Sequence, residues 1–226
     1  DDALMEKFFE EGELSQEEMM HGLRKGIADG TVVPVVCCSS ITRVGLSKVL
    51  DTIKEIMPSP AGTVKTGINP KTGEAVERIC AEDQPFSAQV FKTMADPFVG
   101  KICFFRVYSG TVEAGSTVYN SVKRNRERLG RILQMHANHR EDIEVCYSGD
   151  IAAIVGLKNA TTGDTLASDD FDYTLEPPTF PDTVISMAVE PLTKGDQEKM
   201  SNALQRLSAE DPTFRVKTDE ETGQTI

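Results

Sequence analysis

No apolar run in this chain of 226 residues approaches the length of a membrane span. Its first residues also lack the basic, apolar, small-residue order of a secretory signal. They are acidic instead: Asp1, Asp2, Glu6, Glu10 and Glu11. Paired cysteines are missing too. The five present (Cys37, Cys38, Cys80, Cys103 and Cys146) are odd in number, and adjacent Cys37 and Cys38 lack the two-residue gap of a redox or zinc pair. They read as small apolar residues of a reduced protein, so a cytoplasmic location with no membrane partner is expected. Histidine is scarce: His21, His136 and His139 have no converging cysteines or carboxylates in sequence, which argues against a metal site and gives no basis for a Ser-His-Asp arrangement.

Positive charge is in short supply. Twenty-four Lys and Arg against 36 Asp and Glu leave a net charge of −12, which argues against a generic nucleic-acid binder and against DNA as a partner. One stretch departs from this balance. Lys123, Arg124, Arg126, Arg128, Arg131 and Arg140 face a single acid, Glu127. Such a local patch on an acidic chain suits a defined docking point rather than a broad electrostatic footprint. The alternative is a hairpin carrying ordinary solubility charges.

Hydrophobic content of 39% and charged content of 27% describe a globular chain, and the apolar periodicity changes along it. Ser15-Gln16-Glu17-Glu18 has the form of a capping box, and Met19, Leu23 and Ile27 follow on one helical face, with Gly30 as a stop. Thr31–Cys37 reads as a buried parallel strand that sits near a sheet edge or carries an irregularity at Pro34. Leu46, Val49, Leu50, Ile53 and Ile56 mark another amphipathic helix, closed by Pro58 and Pro60. A hairpin turning at Asn69–Gly73 is expected next.

From Phe86 onward the period is that of strands: Phe86–Met94, Lys101–Tyr108, Thr117–Ser121, Arg128–Met135 and Ile151–Leu157. Turn signals at Asp96-Pro97, Glu113–Gly115, Ser148–Asp150 and Thr162–Asp164 separate them, so a closed antiparallel barrel is expected. After Pro177-Pro178 the order is strand Val184–Val189, helix capped by Asp196 and broken at Asp211-Pro212, strand Thr213–Val216, and the start of a third strand at Gln224–Ile226. That is the first half of a split β-α-β, ferredoxin-like unit. The fold class expected is therefore multi-domain and mainly β. It comprises an α/β tail over residues 1–60, a linker and hairpin over 61–84, an antiparallel β-barrel over 85–178, and a partial ferredoxin-like α+β unit over 179–226.

Several strings carry a family resemblance. Asp96–Lys101, Phe104–Gly110, Gly130–Asn138, Gly149–Ala153 and Thr161–Leu166 are similar to the second domain of bacterial elongation factor G. Glu210–Phe214 and Asp219–Thr225 resemble the start of its third domain. The resemblance implies an internal fragment of a translocating GTPase: the end of the GTPase domain, domain II and half of domain III. It also implies a ribosome-binding parent that promotes tRNA and mRNA movement, with small-subunit rRNA met by the barrel. Rival readings are a ribosome-protection or release-factor-recycling GTPase, a second elongation factor G-like copy, or a non-enzymatic RNA- or protein-binding barrel.

The nucleotide motifs of such a GTPase are absent from these residues. There is no Gly-Lys-Ser or Gly-Lys-Thr, no Asp-x-x-Gly and no Asn-Lys-x-Asp. No catalytic residue and no cofactor are therefore expected in this stretch, with GTP or GDP and Mg belonging to the parent protein. By resemblance, the loop Cys37–Ile41 is what remains of the guanine site, with backbone amides at Ser39, Ser40 and Ile41 directed at the base. The family usually has Gly-Ser-Ala where this chain has Cys38-Ser39-Ser40. The expected RNA-binding residues are Lys123, Arg124, Arg126, Arg128 and Arg131, with Lys123, Arg124 and Arg126 on a loop or ribbon tip.

Overall fold

The structure, a computed structural model, describes residues 2–96, 98–168, 173–220 and 223–226. Pro97 of the Asp96-Pro97 turn lies outside the described residues, as do Glu221 and Thr222 of the acidic stretch Asp219–Thr225. The chain divides into two compact units, residues 1–60 and 61–226. Among the described residues no helix is long and apolar enough to cross a membrane.

The first unit is built from helices α1 (Asp2–Glu11), α2 (Gln16–Ala28) and α3 (Leu46–Ile56). The capping box forms: Ser15 Oγ accepts from the Glu18 amide at 3.3 Å, and Glu18 Oε2 accepts from the Ser15 amide at 2.9 Å. Each bond satisfies a donor that the first helical turn would leave open. Helix α2 stops at Gly30, whose φ of 72° suits a residue without a Cβ. The strand expected at Thr31–Cys37 does not form. Its backbone carries no ladder, and Val33 and Val35 are 78% and 85% exposed. A parallel strand exists only through a neighbour's hydrogen bonds, and residues 2–60 contain no other strand.

The second unit begins with a hairpin of β1 (Val64–Ile68) and β2 (Ala75–Ile79). Its turn is closed by Asn69 Oδ1, which accepts from the Lys71 amide at 2.8 Å. The hairpin is held to the segment after the barrel by an antiparallel bridge between Ile68 and Thr174. Buried Tyr173 reinforces this contact, its hydroxyl donating to the Lys65 carbonyl at 3.0 Å.

Ten antiparallel strands follow: β3 (Ser87–Asp96), β4 (Gly100–Ser109), β5 (Val112–Glu113), β6 (Thr117–Asn120), β7 (Asn125–Arg128), β8 (Arg131–His136), β9 (His139–Ile143), β10 (Val145–Cys146), β11 (Ile151–Val155) and β12 (Thr165–Ala167). Eight form one sheet in the order β7-β6-β12-β3-β4-β11-β8-β9, and β5 pairs with β10. Alternate residues of this sheet turn inward around a main core that includes Val90, Phe105, Val107, Ile132, Ile154 and Leu166, all fully buried, and a smaller cluster of Ile102, Leu133 and Ala153 forms separately on β4, β8 and β11. The run read as one strand over Arg128–Met135 is two. It breaks at Leu129-Gly130, where the backbone passes so close to Val155 that a Cβ at position 130 would stand 2.2 Å from the Val155 carbonyl oxygen, which only glycine allows. Leu129 drops into the core at that break.

The last segment has a 3₁₀ turn (Lys194–Asp196) and helix α4 (Gln197–Glu210), ending at Asp211. Asp196 stands at the cap position, but its carboxylate does not reach the helix amides. It accepts from Thr193 Oγ1 at 2.6 Å and from Lys199 at 3.1 Å. Val184–Val189 and Thr213–Val216 do not become ladder strands. The contacts present are single bridges of Val189 and Thr218 to Thr225, and Val184 is 94% exposed. Helix α4 instead docks on β3: Thr93 Oγ1 donates to the Ala209 carbonyl at 2.6 Å, and the Ala95 amide donates to Glu210 Oε1.

Candidate nucleic-acid interface

Strand β7 forms one edge of the eight-stranded sheet and, among the described residues, pairs only with β6. Edge strands keep one side of their backbone open, and charged side chains there discourage pairing with other chains. In β7 the alternation is strict: Arg126 and Arg128 are exposed, and Glu127 between them is buried. The turn 121–124 that precedes it is tight enough to put Arg124 at φ 55°, exposed at the tip. Arg126 therefore lies in the strand rather than in the loop.

Lys123 is committed elsewhere. Its Nζ donates to Thr161 Oγ1 at 2.8 Å and to the Asn159 carbonyl, and stands 3.3 Å from Asp164 Oδ2. Asp164 is 3% exposed and also accepts from Asn120 Nδ2 at 2.8 Å and from the Thr161 amide at 2.9 Å. A carboxylate this far from water needs those partners, so Lys123 serves the fold. Arg131 is neutralised by a two-pronged pair with Asp142, at 2.7 and 2.6 Å. That pairing raises the arginine and lowers the carboxyl from their ordinary ranges. Arg140, beyond the stretch, pairs with Asp96. Arg124, Arg126 and Arg128 form an outward row, with Arg128 Nε 3.3 Å from the Gly115 carbonyl.

The fold adds a cation from a distant part of the chain. The loop after β11 lays Gly156, Lys158 and Asn159 beside β7, and with Arg126, Glu127 and Arg128 these line a cleft of about 240 Å³. Lys158 is exposed. Nothing in the local pattern around Lys158 marks it; about thirty residues separate it from β7, and only the chain path joins them. The loop is fastened by its own backbone, since the Asn159 amide donates to Glu127 Oε2 at 3.0 Å. Glu127 Oε1 is buried and has no hydrogen-bond partner among the described residues. Leaving such an atom unsatisfied costs about 1–3 kcal/mol.

The loop Cys37–Ile41 lies in the first unit. The Ser39 amide donates to the Val44 carbonyl at 2.9 Å, and Ser39 Oγ accepts from the Thr42 amide at 3.2 Å. Ser39 is thereby used in holding the turn. Ser40 and Ile41 sit at its exposed crest, Ile41 at 92% exposure, and their amides have no acceptor among the described residues.

Two family models match the chain: elongation factor G domain 2 over residues 85–169, and Elongation Factor G, domain III over residues 180–226, together more than half its length. Among solved structures, the chain is similar to the crystal structure of a protein from Thermus thermophilus, with 24% identity and a TM-score of 0.79. That match covers 100% of this chain and 32% of the other, so the chain spans about a third of the length of the protein it resembles.

Proposed function

We propose, from the premise that the chain belongs to the elongation factor G family, that its barrel is the RNA-contacting element of a cytoplasmic translational GTPase that works on the ribosome in translocation. The observation that carries this reading is the outward row of Arg124, Arg126 and Arg128 on the turn and edge strand of an otherwise acidic chain. Phosphates are bound by such rows through counterion release, without base readout, which suits a helix of small-subunit rRNA. Guanine nucleotide and magnesium belong, on this reading, to motifs that these 226 residues do not contain. Ser40 and Ile41 offer only backbone donors towards a guanine ring, with Ser39 shaping their turn.

The reading is tested by fluorescence anisotropy of a labelled small-subunit rRNA hairpin at increasing salt. Parent chain is expected to bind weakly at low salt and to release steeply as salt rises. Changing Arg124, Arg126 and Arg128 together to alanine should flatten the logarithmic salt slope by roughly two to three, since each duplex phosphate contact contributes about 0.9. Unchanged binding by the triple variant would sink the assignment. On the nucleotide side, calorimetric titration with GDP and magnesium is expected to show no low-micromolar binding, because one or two amide contacts contribute only about 1 kcal/mol each.

A further inference from the structure

The centre of the large sheet presents aromatic rings and cations on its outer face. In β4 the fully buried Cys103, Phe105 and Val107 alternate with Phe104, Arg106 and Tyr108, which therefore share that face. Gln89 on β3 and Ile151 on β11 stand opposite Arg106 in the two ladders. Strand β3 adds a bulge. Val90 pairs with Phe105 and Lys92 with Phe104, so Phe91 between them has no partner across the ladder. The alternation breaks there, and Phe91 and Lys92 are both exposed, Phe91 at 41%. A bulge re-aims a side chain, and this one holds a phenylalanine outside the core. Phe91, Arg106, Tyr108, Gln89 and Ile151 line a cleft of about 260 Å³. In the order of the sheet β3 is three places from β7, so this face is distinct from the arginine row.

The groups on this face are unevenly satisfied. The Arg106 guanidinium lies 5.5 Å from the Tyr108 ring centre, and Lys65 Nζ lies at the same distance from that ring. Arg106 makes no hydrogen bond or ion pair among the described residues. Asp150, next to Ile151, turns its carboxylate to the Tyr147 amide at 2.9 Å, and no acid lines the cleft. Tyr108 is thus occupied by cations, whereas Phe91 meets only the Phe104 ring, 6.4 Å away and tilted by 47°. We propose that this cleft is a stacking site for one unpaired RNA base, which lies on the Phe91 ring while Arg106 and Lys92 meet the adjoining phosphates. The inference rests on the RNA-binding reading above and goes beyond it: the row on β7 meets phosphates alone, and this face selects a base that has left its helix. Paired bases cover one another's faces, so only an unpaired one offers a π surface to Phe91. Stacking on exposed rings beside cations holds single-stranded nucleic acid without reading its sequence. An apolar peptide would answer Phe91 and Ile151 and leave Arg106 unmatched; a nucleotide brings a flat face and a negative charge together.

The test uses the full 226-residue chain and one small-subunit rRNA hairpin in two forms. One form carries a single bulged adenosine, and the other an abasic ribose at the same place, so that phosphate charge and backbone are alike. Fluorescence anisotropy at low salt is expected to show about tenfold tighter binding of the adenosine form, within the range that one stacked base contributes. Phe91→Ala should bring the two forms to within about twofold of each other, and Phe91→Tyr, which keeps a ring, should preserve the preference. Changing Arg124, Arg126 and Arg128 together to alanine should weaken both forms by the same factor and leave their ratio intact. Folding of each variant is checked by its urea midpoint, and the two-hairpin comparison on the parent needs no variant. Equal binding of both forms by the parent overturns the stacking site, leaves the arginine row standing, and marks the face as a protein contact instead. A preference that survives Phe91→Ala also overturns it, since the base then sits elsewhere. Failure to bind either form at low salt overturns both readings.

Discussion

The barrel and the two extended runs outside it are built from the same residue types, yet they end in opposite environments. Val90, Phe105, Val107 and Ile154 are fully buried. Val33 and Val35 in the first unit, and Val184, Ile185 and Met187 in the second, are between 74% and 94% exposed. Intrinsic β preference is alike in both sets, so it cannot be what separates them. Every barrel strand has at least one hydrogen-bonded neighbour, the inner six of the large sheet have two, and most of the buried apolar side chains of these strands meet in one main core. The exposed runs have at most single bridges. β preference is a measure of fit to a half-buried pleated surface, and where no surface is present it has nothing to act on.

The sharpest way to break this comparison is to truncate the same kind of side chain in both places. Phe105→Ala should cost about 3–5 kcal/mol, since it empties a fully buried site between β3 and β11. Val184→Ala, at 94% exposure, should fall within about 0.5 kcal/mol of the parent. Urea unfolding followed by circular dichroism measures both, and comparable losses would show that the Val184 run is packed in solution. Hydrogen–deuterium exchange extends the same contrast to the backbone. Amides of β3, β4 and β11 should exchange far more slowly than those of residues 31–37 and 184–187; equal protection would contradict the structure.

Cysteines give a chemical version of the contrast. Cys37 and Cys38 are exposed, while Cys80, Cys103 and Cys146 are buried. Burial pushes the Cys103 thiol up to about 11 and the Cys146 thiol up to about 12, so neither supplies thiolate near neutrality. A thiol reagent at mild alkaline pH should label Cys37 and Cys38 in the native chain, and the other three only in denaturant. The smallest expected effect is at Asp96. The amides of Val99 and Phe98, and then the Arg140 guanidinium, hold its carboxyl below the ordinary carboxylate range. A carboxyl lowered on folding stabilises the fold above its unfolded value, and that contribution disappears as pH falls through the folded one. Asp96→Asn should therefore lower the urea midpoint slightly at pH 7, and the gap to the parent should close in acid. A gap that persists below the carboxylate range would mean that the loop depends on shape and not on charge.

Elements governed by nearby residues are legible in the sequence itself. The capping box at Ser15–Glu18, the Asn69 turn, the extent of α3 and the strands β3, β4, β6, β8 and β11 follow from contacts a few residues apart or from simple alternation, whereas β5, β7, β9, β10 and β12 are not among the expected strands. The misplaced strands are those whose existence depends on a partner. The need for glycine at position 130 is hidden because it is set by the Val155 carbonyl, a neighbour only in space. The candidate site divides in the same manner. Arg124, Arg126 and Arg128 stand out in sequence as a basic cluster. That Lys123 is taken by Asp164, that Arg131 is taken by Asp142, and that Lys158 joins the row are consequences of chain path. Charge density can be counted along a sequence, but which charges face outward is decided by folding.

The clasp between the hairpin and the segment after the barrel has a mechanical consequence. Ile68 and Thr174 are hydrogen-bonded neighbours, and the Tyr173 hydroxyl is tied to Lys65, so the chain comes into the barrel and leaves it at one place. Tension applied along the polypeptide meets that bridge first on the hairpin side, and on the exit side it is shared with the bonds of Thr174 to Ser121 and of Leu175 to Thr165 that tie the segment to the sheet. Part of such a pull thus bypasses the barrel strands for as long as the Ile68–Thr174 bridge holds.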